Sequence, residues 1–313
     1  MRLERVVQIL RKMNSYLTGS SLDIFFNGEV VWVNSGFVLG RVEVSDKVDL
    51  KGKLLKVDFD VLEKVFVEGG IEDVLVEAGR LRIDKGSYEV EVAVVDEVVL
   101  VEREIEGEGE EVDLRKMKVS GFEMAKLWKR SLVDLLDVVW VKSGKVISIS
   151  SDYLMVGDVG SEADMDMSRW VWLFIDDVQG DVRRVVNYEN VVRLEFDSGY
   201  VDVVKRVVNE LNFEIVKEVE ERFVGERLRD FDRMVVERFD GEVFLLDLGD
   251  RYGVEVQDKR YFVRSKERGM KRYYIEDKFL DYLLQSEGVV VKDGIMKLKR
   301  GDVSLYVMLK EGF

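Results

Sequence analysis

Stretches with apolar residues at every third and fourth position alternate along this chain with short stretches in which every second residue is apolar. The first spacing predicts amphipathic helices and the second predicts half-buried strands. Residues 3–17 give the first helix, with Leu3, Val6, Val7, Leu10, Met13 and Leu17 on one stripe. Strands at 22–26, 30–34 and 37–44 follow. A second group fills residues 54–97. It has a short strand, a helix at 61–66 that stops at Gly69-Gly70, and strands at 73–77, 80–84 and 88–94. Ala78-Gly79 and Lys85-Gly86 mark the turns.

This order recurs. A helix at 122–136 leads to strands at 138–142, 146–150 and 153–156. Then come a strand at 172–175, a helix at 177–186 and strands at 191–196 and 200–204, around Asp197-Ser198-Gly199. The last third repeats the scheme with a helix at 223–235 and strands at 236–239, 243–248 and 253–257. Its second half, residues 273–310, has a helix at 278–285 and strands at 289–292, 295–299 and 303–309. The turns there are Asp293-Gly294 and Arg300-Gly301. The repeating unit is about one hundred residues. The expected fold is α+β, with tandem domains at 1–108, 109–214 and 215–313, each two amphipathic helices on antiparallel sheets. Residues 102–111, rich in Glu and Gly, read as a solvated linker, and a second boundary falls near 211–220.

Composition narrows the chemistry. The 313 residues include no proline, cysteine or histidine. Average usage would supply roughly fifteen prolines. There is one threonine, four alanines and four glutamines. Codons for Pro, His, Gln, Thr and Ala all contain cytosine, so the pattern points to a cytosine-depleted coding strand and to a viral, phage or very small genome. Cysteine has a cytosine-free codon, and its absence is not explained this way. Disulfides, thiolate or imidazole metal sites, Ser-His-Asp triads and histidine bases are excluded. No metal or other cofactor is expected, and no nucleophile–base constellation is visible, so an enzyme is not expected. The 48 basic and 63 acidic residues give a net charge of −15. That argues against a surface coated by nucleic acid but leaves room for a local basic stripe. No apolar run approaches the ~20 residues of a membrane span, and the first residues lack a secretory signal, so a soluble cytoplasmic protein is expected.

The remaining motifs have two readings each. Glu162, Asp164 and Asp166 supply oxygens for a divalent cation but lack the full spacing of a Ca²⁺ loop; a solvated loop accounts for them as well. Asp176-Asp177 forms a carboxylate pair, and at the start of the helix at 177–186 it would compensate the helix dipole. Gly107 and Gly109 alternate with Glu, which would repel phosphate. Trp32, Trp128, Trp140, Trp170 and Trp172 read as core, with base-stacking as the alternative. The first-half helices carry cations opposite their apolar stripes: Arg5 and Lys12, Lys126 and Arg130, and Arg222, Arg229 and Arg233. An ordinary solvated helix face accounts for these cations, and so does a surface facing phosphate.

The helix–strands–helix–strands unit, tripled in an acidic chain, resembles the DNA sliding clamp of the bacterial three-domain type, a polymerase processivity factor. The likeness is clearest at 57–96 and 274–309. The run from Asp73 to Gly86 follows the clamp pattern of acidic-apolar strand, short turn and alternating strand, and Ser304-Leu305-Tyr306-Val307-Met308-Leu309 is similar to its closing strand. The resemblance implies a non-enzymatic ring that encircles double-stranded DNA without reading sequence and tethers a replicative polymerase. Three units per chain then imply a head-to-tail homodimer joined by edge strands. It implies DNA-facing roles for Arg5, Lys12, Lys126, Arg130, Arg222, Arg229 and Arg233. It also implies a pocket for polymerase and clamp-loader peptides at Asp152, Tyr153, Leu154, Met308 and Leu309. The Gly and Arg of the family's turn at this pocket are absent here, and simple strand packing accounts for the same five residues. Two other readings stand beside it: a monomeric clamp-like processivity subunit, and a repeated-domain structural or virion protein.

Overall fold

The computed structural model describes residues 1–17, 22–77, 79–95, 104–113, 138–158, 165–178, 180–205, 211–230, 241–258, 262–263, 271–276 and 279–311. The first third runs α1 (Leu3–Tyr16), β1 (Asp23–Phe26), β2 (Val30–Asn34), β3 (Val38–Glu43), β4 (Leu55–Val57) and α2 (Phe59–Val61). A π-helical segment (Leu62–Val67) continues α2, then β5 (Asp73–Glu77), β6 (Arg80–Asp84) and β7 (Glu89–Ala93) follow. The middle third runs β8 (Glu110–Val112), β9 (Val138–Lys142), β10 (Lys145–Ile149), β11 (Tyr153–Asp158), β12 (Met165–Ser168), α3 (Arg169–Val178), β13 (Val182–Asn187), β14 (Val191–Phe196) and β15 (Gly199–Val204). The last third runs α4 (Phe213–Arg222), β16 (Gly241–Asp247), β17 (Tyr252–Asp258), β18 (Phe262–Val263), β19 (Lys271–Ile275) and α5 (Leu280–Gln285). It ends with β20 (Gly288–Lys292), β21 (Ile295–Arg300), β22 (Val303–Met308) and β23 (Lys310–Glu311). Every strand pairing among the described residues is antiparallel, so the expected α+β class holds.

The chain forms two compact units, and each draws on distant segments. The first comprises residues 1–114 and 170–207, the second residues 115–169 and 208–313. In the first unit an eight-stranded sheet runs β4-β1-β2-β3-β15-β14-β13-β8, beside a three-stranded sheet β5-β6-β7. The central seam pairs β3 with β15, from Val38↔Val203 to Val42↔Gly199. Two glycines let the backbones meet there. A Cβ on Gly199 would lie 2.0 Å from the Arg41 carbonyl, and one on Gly40 would lie 2.9 Å from Val201 Cγ2. Beside the seam, Arg193 forks onto Asp202 at 2.7 and 2.8 Å and stacks 4.1 Å from the centre of the Tyr200 ring. Asp202 is only 1% exposed, so the pairing is what makes its burial tolerable.

Helix α1 buries Leu3, Val6, Val7, Ile9, Leu10 and Met13 and lies against the π-helical segment. Phe26 meets Phe66 edge-on at 5.1 Å. Such buried side chains each contribute about 1.5–3 kcal/mol by leaving water.

In the second unit a seven-stranded sheet runs β12-β9-β10-β11-β22-β21-β20, and a five-stranded sheet runs β18-β17-β16-β19-β23. Its seam pairs β11 with β22, from Tyr153↔Val307 to Gly157↔Val303. Helix α4 closes one core around Val216, with Val138, Trp140, Ile147, Leu154, Phe223 and Tyr306. Glu220 on α4 holds Lys145 at 2.6 Å. Beside this pair, Lys297 sits over the rings of Tyr306 and Phe223, at 5.4 and 5.9 Å. Burial holds the Lys297 ammonium below the usual lysine range.

Several elements differ from the sequence expectation. Residues 172–175 are helical and 182–187 extended, the reverse of the prediction. Val171, Phe174, Ile175 and Val178 are buried at helical spacing, which the strand assignment overlooked. A bulge between Val182 and Arg184 gives β13 its misleading helix-like spacing. The boundary at 211–220 is mostly helix α4, capped by the Asn212 side chain, which accepts from the Glu214 N–H. Its single fully buried position, Val216, leaves too narrow a stripe to read. The helix expected at 223–235 is instead broken at its start: Phe223 ends α4, and Gly225 takes φ +79°. Residues 231–235, the helix at 122–136 and the strand at 236–239 lie outside the described residues. The linker near 102–111 is pinned along its later part. The Glu106 N–H donates to Asn190 Oδ1 at 3.2 Å, Asn190 Nδ2 donates to the Glu104 carbonyl at 2.8 Å, and β8 pairs with β13.

Two outcomes follow from this packing. Gly199→Ala forces a methyl group into the Arg41 backbone and should cost about 1–3 kcal/mol, read as a lowered thermal midpoint; an unchanged midpoint would mean that the seam yields freely. Burial, helped by Glu220, pushes the Tyr306 phenol up to about 12 from 10.0. A raised native value gives stability that is complete below the unfolded value and is lost as pH climbs through the native one. Tyr306→Phe should therefore flatten the decline of urea-unfolding stability between those two pH values, and an unaltered decline would contradict this.

Candidate functional site

Two surfaces collect the residues singled out in the sequence. The first is the end of the seam in the second unit. The Met308 N–H donates to the Asp152 carbonyl at 2.9 Å, and the Leu309 N–H donates to the Gly294 carbonyl at 2.8 Å. Register sets Tyr153 opposite Val307 and Leu154 opposite Tyr306. All five candidate pocket residues therefore lie at two adjacent strand ends, 154 positions or more apart in the chain and brought together by one ladder.

Their side chains divide in function. Tyr153 is buried, meets Phe279 edge-on at 5.8 Å and lies 3.4 Å from the Ser148 hydroxyl. Leu154 is buried on the opposite face with Trp140 and Tyr306. Ser150 hydrogen-bonds the Asp152 carboxylate and fixes the turn that precedes β11. Met308 is different: it is 65% exposed, though it ends an otherwise buried strand. Its register partner Ile295, which the sequence reading did not single out, is half-buried. The result is a small apolar ledge of Met308 and Ile295, with Leu309 half-buried beside it and the acidic turn at Asp152 adjacent. An unbranched, polarizable methionine on such a ledge suits variable apolar contacts.

The second surface is the polar face of α1 in the first unit. Arg5 forks onto Asp181, Nε to Oδ1 at 3.1 Å and Nη2 to Oδ2 at 2.5 Å. Lys12 reaches Asp177 at 3.1 Å, and Tyr16 donates to the same carboxylate. That hydrogen bond and partial burial raise the Tyr16 phenol far above its ordinary range, burial being the larger cause. Arg11, which the sequence reading passed over, bridges Asp60 at 3.1 Å and Glu63 at 2.6 Å.

Asp176 and Asp177 do not open a helix as expected. They lie in the last turn of α3, where the helix dipole disfavours carboxylates. Lys12 of α1 compensates Asp177 instead. The sequence signal for this was present as matched spacing, Arg5 and Lys12 on one helix against Asp177 and Asp181 beyond another. It was readable only once α3 was known to end at Val178.

The other candidate cations are placed differently from one another. Arg222 is exposed in the last turn of α4, where a cation suits the helix dipole. Arg229 lies outside any helix. Its backbone pairs with Val289, and its guanidinium binds Asp247 at 3.0 Å and stacks 4.0 Å from the centre of the Tyr252 ring. Lys126, Arg130 and Arg233 lie outside the described residues. So do Glu162 and Asp164, whereas Asp166 lies on β12, opposite Trp140. Among the described residues there is no cluster of three His, Cys, Asp or Glu side chains able to hold a metal ion. No helix there is long and apolar enough to cross a membrane. Trp140 and Trp172 are buried, Trp32 and Trp170 are half-buried, and Trp128 lies outside the described residues.

No protein-family model matches the sequence, and no curated protein matches it. Solved structures do match it, along almost the whole chain. The DNA polymerase sliding clamp from Caulobacter crescentus aligns with a TM-score of 0.67 and 11% identity, covering 99% of this chain and 98% of that one. The Helicobacter pylori beta clamp, solved bound to a DNA ligase peptide, aligns at 0.65 and 10% identity over 99% of each chain. The DNA polymerase III subunit beta from Pseudomonas aeruginosa aligns at 0.62 and 13% identity, over 99% and 98%. From its first helix to its closing strand, this chain has the fold of the bacterial DNA sliding clamp.

Proposed function

We propose that the protein is a non-enzymatic sliding clamp that closes into a ring around duplex DNA and tethers a replicative polymerase. The observation that carries this reading is a pairing rule repeated inside the chain. The third strand of one first-half group pairs with the last strand of the next second-half group: β3 with β15, and β11 with β22. Domains 1–108, 109–214 and 215–313 are the units this rule joins in order. Two groups are left over, β5–β7 and β16–β19. Applying the rule once more pairs β18 of one copy with β7 of a second copy, and a head-to-tail dimer then satisfies every group.

Charge favours that match. Strand β7 carries Glu89 and Glu91, which pair with Arg82 and Arg80 on β6 and would have to share them, and β18 is flanked in sequence by Lys259, Arg260 and Arg264. An unpartnered β7 would also be an edge-strand hazard. Polymerase and loader peptides with apolar anchors would sit on the ledge at Asp152, Met308 and Leu309, over the wall made by Tyr153 and Leu154. The Helicobacter pylori clamp bound to a ligase peptide supports this kind of partner. The place of action is the cytoplasm, on DNA.

Light scattering should give about twice 36.3 kDa, with Glu89→Lys/Glu91→Lys shifting the protein toward monomer. The wild type, once loaded, should stay on nicked circular DNA and run off after linearisation. A monomer held equally well by short linear duplex would favour an open, clamp-like subunit instead. Separately, Met308→Asp should keep thermal stability within about 0.5 kcal/mol, as exposed substitutions do. It should nonetheless abolish capture of an apolar polymerase-tail peptide in a pull-down, and retained capture would place the peptide elsewhere.

A further inference from the structure

The cations of α1 are already spoken for. Arg5, Arg11 and Lys12 each meet at least one carboxylate at 3.1 Å or less, and the carboxylates come from two different directions in the first unit. Asp177 and Asp181 come from the end of α3 and the turn after it, and Asp60 and Glu63 from α2 and the start of the π-helical segment. The Arg5–Asp181 contact has the two-pronged geometry with which guanidinium groups also bind phosphate. A duplex backbone reaching this face therefore finds donors whose hydrogen bonds are taken.

We propose that these carboxylates are intramolecular stand-ins for DNA phosphate: α1 engages a duplex only by exchanging a carboxylate for a phosphate, and the face is held self-neutralised in between. The inference rests on the clamp reading for its ligand, a duplex phosphate backbone. Its physical consequence is distinct from that reading. A phosphate bound by a free cation releases counterions and steepens salt dependence, by about 0.9 in log–log slope for each phosphate. A phosphate that must displace a fixed carboxylate gains little from the cation. The face then contributes weakly to affinity and weakly to the salt slope, and the duplex meets little resistance to sliding along it.

The test measures binding of a fluorescent duplex by anisotropy between 50 and 200 mM salt. Asp177→Asn/Asp181→Asn leaves Arg5 and Lys12 free for phosphate. Its salt slope should steepen by about two, so its affinity should fall about tenfold more than the wild type's over that range. Adding Arg5→Gln and Lys12→Gln should erase the gain. Asp177→Asn alone, at a half-exposed surface position, should give about half the change and serves if the double variant melts early by circular dichroism.

An unchanged slope in folded variants overturns the proposal. So does a gain that survives removal of the two cations, since the phosphate would then be held by groups other than Arg5 and Lys12. Retention of the wild type on circular DNA, assayed in parallel, separates the two readings. If retention fails while the slope still changes, the clamp reading falls and the exchange stands. If retention holds with no change in slope, the exchange falls alone.

Discussion

Backbone groups at the edge of a sheet must find partners, and in this chain they find them very far away in sequence. The ladder between β3 and β15 and the ladder between β11 and β22 join segments from different thirds of the protein. Each converts two incomplete sheets into one continuous sheet. The rest of the architecture is arranged to permit that approach. Gly40 and Gly199 remove the side chains that would keep β3 and β15 apart. The Arg193–Asp202 pair places a buried charge at one register only, where a one-residue slip would turn Asp202 to the wrong face without its partner. In the second unit the same ladder that joins β11 to β22 brings Asp152 to Met308 and so creates the ledge.

The strands were largely legible in the sequence because period-two alternation and Gly-containing turns survive even at 9–13% identity to solved clamps. Residues 30–34, 73–77, 80–84 and 191–196 coincide with strands β2, β5, β6 and β14. The helices were harder for a physical reason. Helix α3 is apolar nearly all round, so Trp172 to Ile175 looks like a buried strand. Helix α4 has one fully buried residue, so its charges look like a linker. The strand partners of each seam were not legible from local pattern, since nothing in residues 38–43 names residues 199–204. The pocket residues were reachable only through resemblance to a family. Their proximity is a property of the ladder, not of any motif.

Composition acts on the electrostatics more than on the fold. With no proline to stop helices or stiffen loops, α4 starts at a side-chain cap, Asn212, and ends ahead of a glycine, Gly225. With 63 acidic residues against 48 basic ones, cations are outnumbered everywhere, and most of those on described helices are found in ion pairs. A basic stripe seen in sequence therefore overstates the positive field that such a surface presents. Arg229 is the clearest example: it reads as an exposed helical cation, yet it serves as a brace between Asp247 and Tyr252.

The seam of the second unit has a consequence for how the protein is made. Strand β11 is complete at Asp158, but β22 begins only at Val303. At ~5–20 residues per second of translation, the exposed edge of β11 waits roughly ten to thirty seconds for its partner to leave the ribosome. Throughout that interval Tyr153 to Val156 present an unpaired apolar strand, which invites pairing with a neighbouring nascent chain. A ribosome halted anywhere before Val303 would release a polypeptide whose middle third cannot close its own sheet. Order of synthesis thus bears on the native state: the strand that silences the β11 edge is made well after the edge itself.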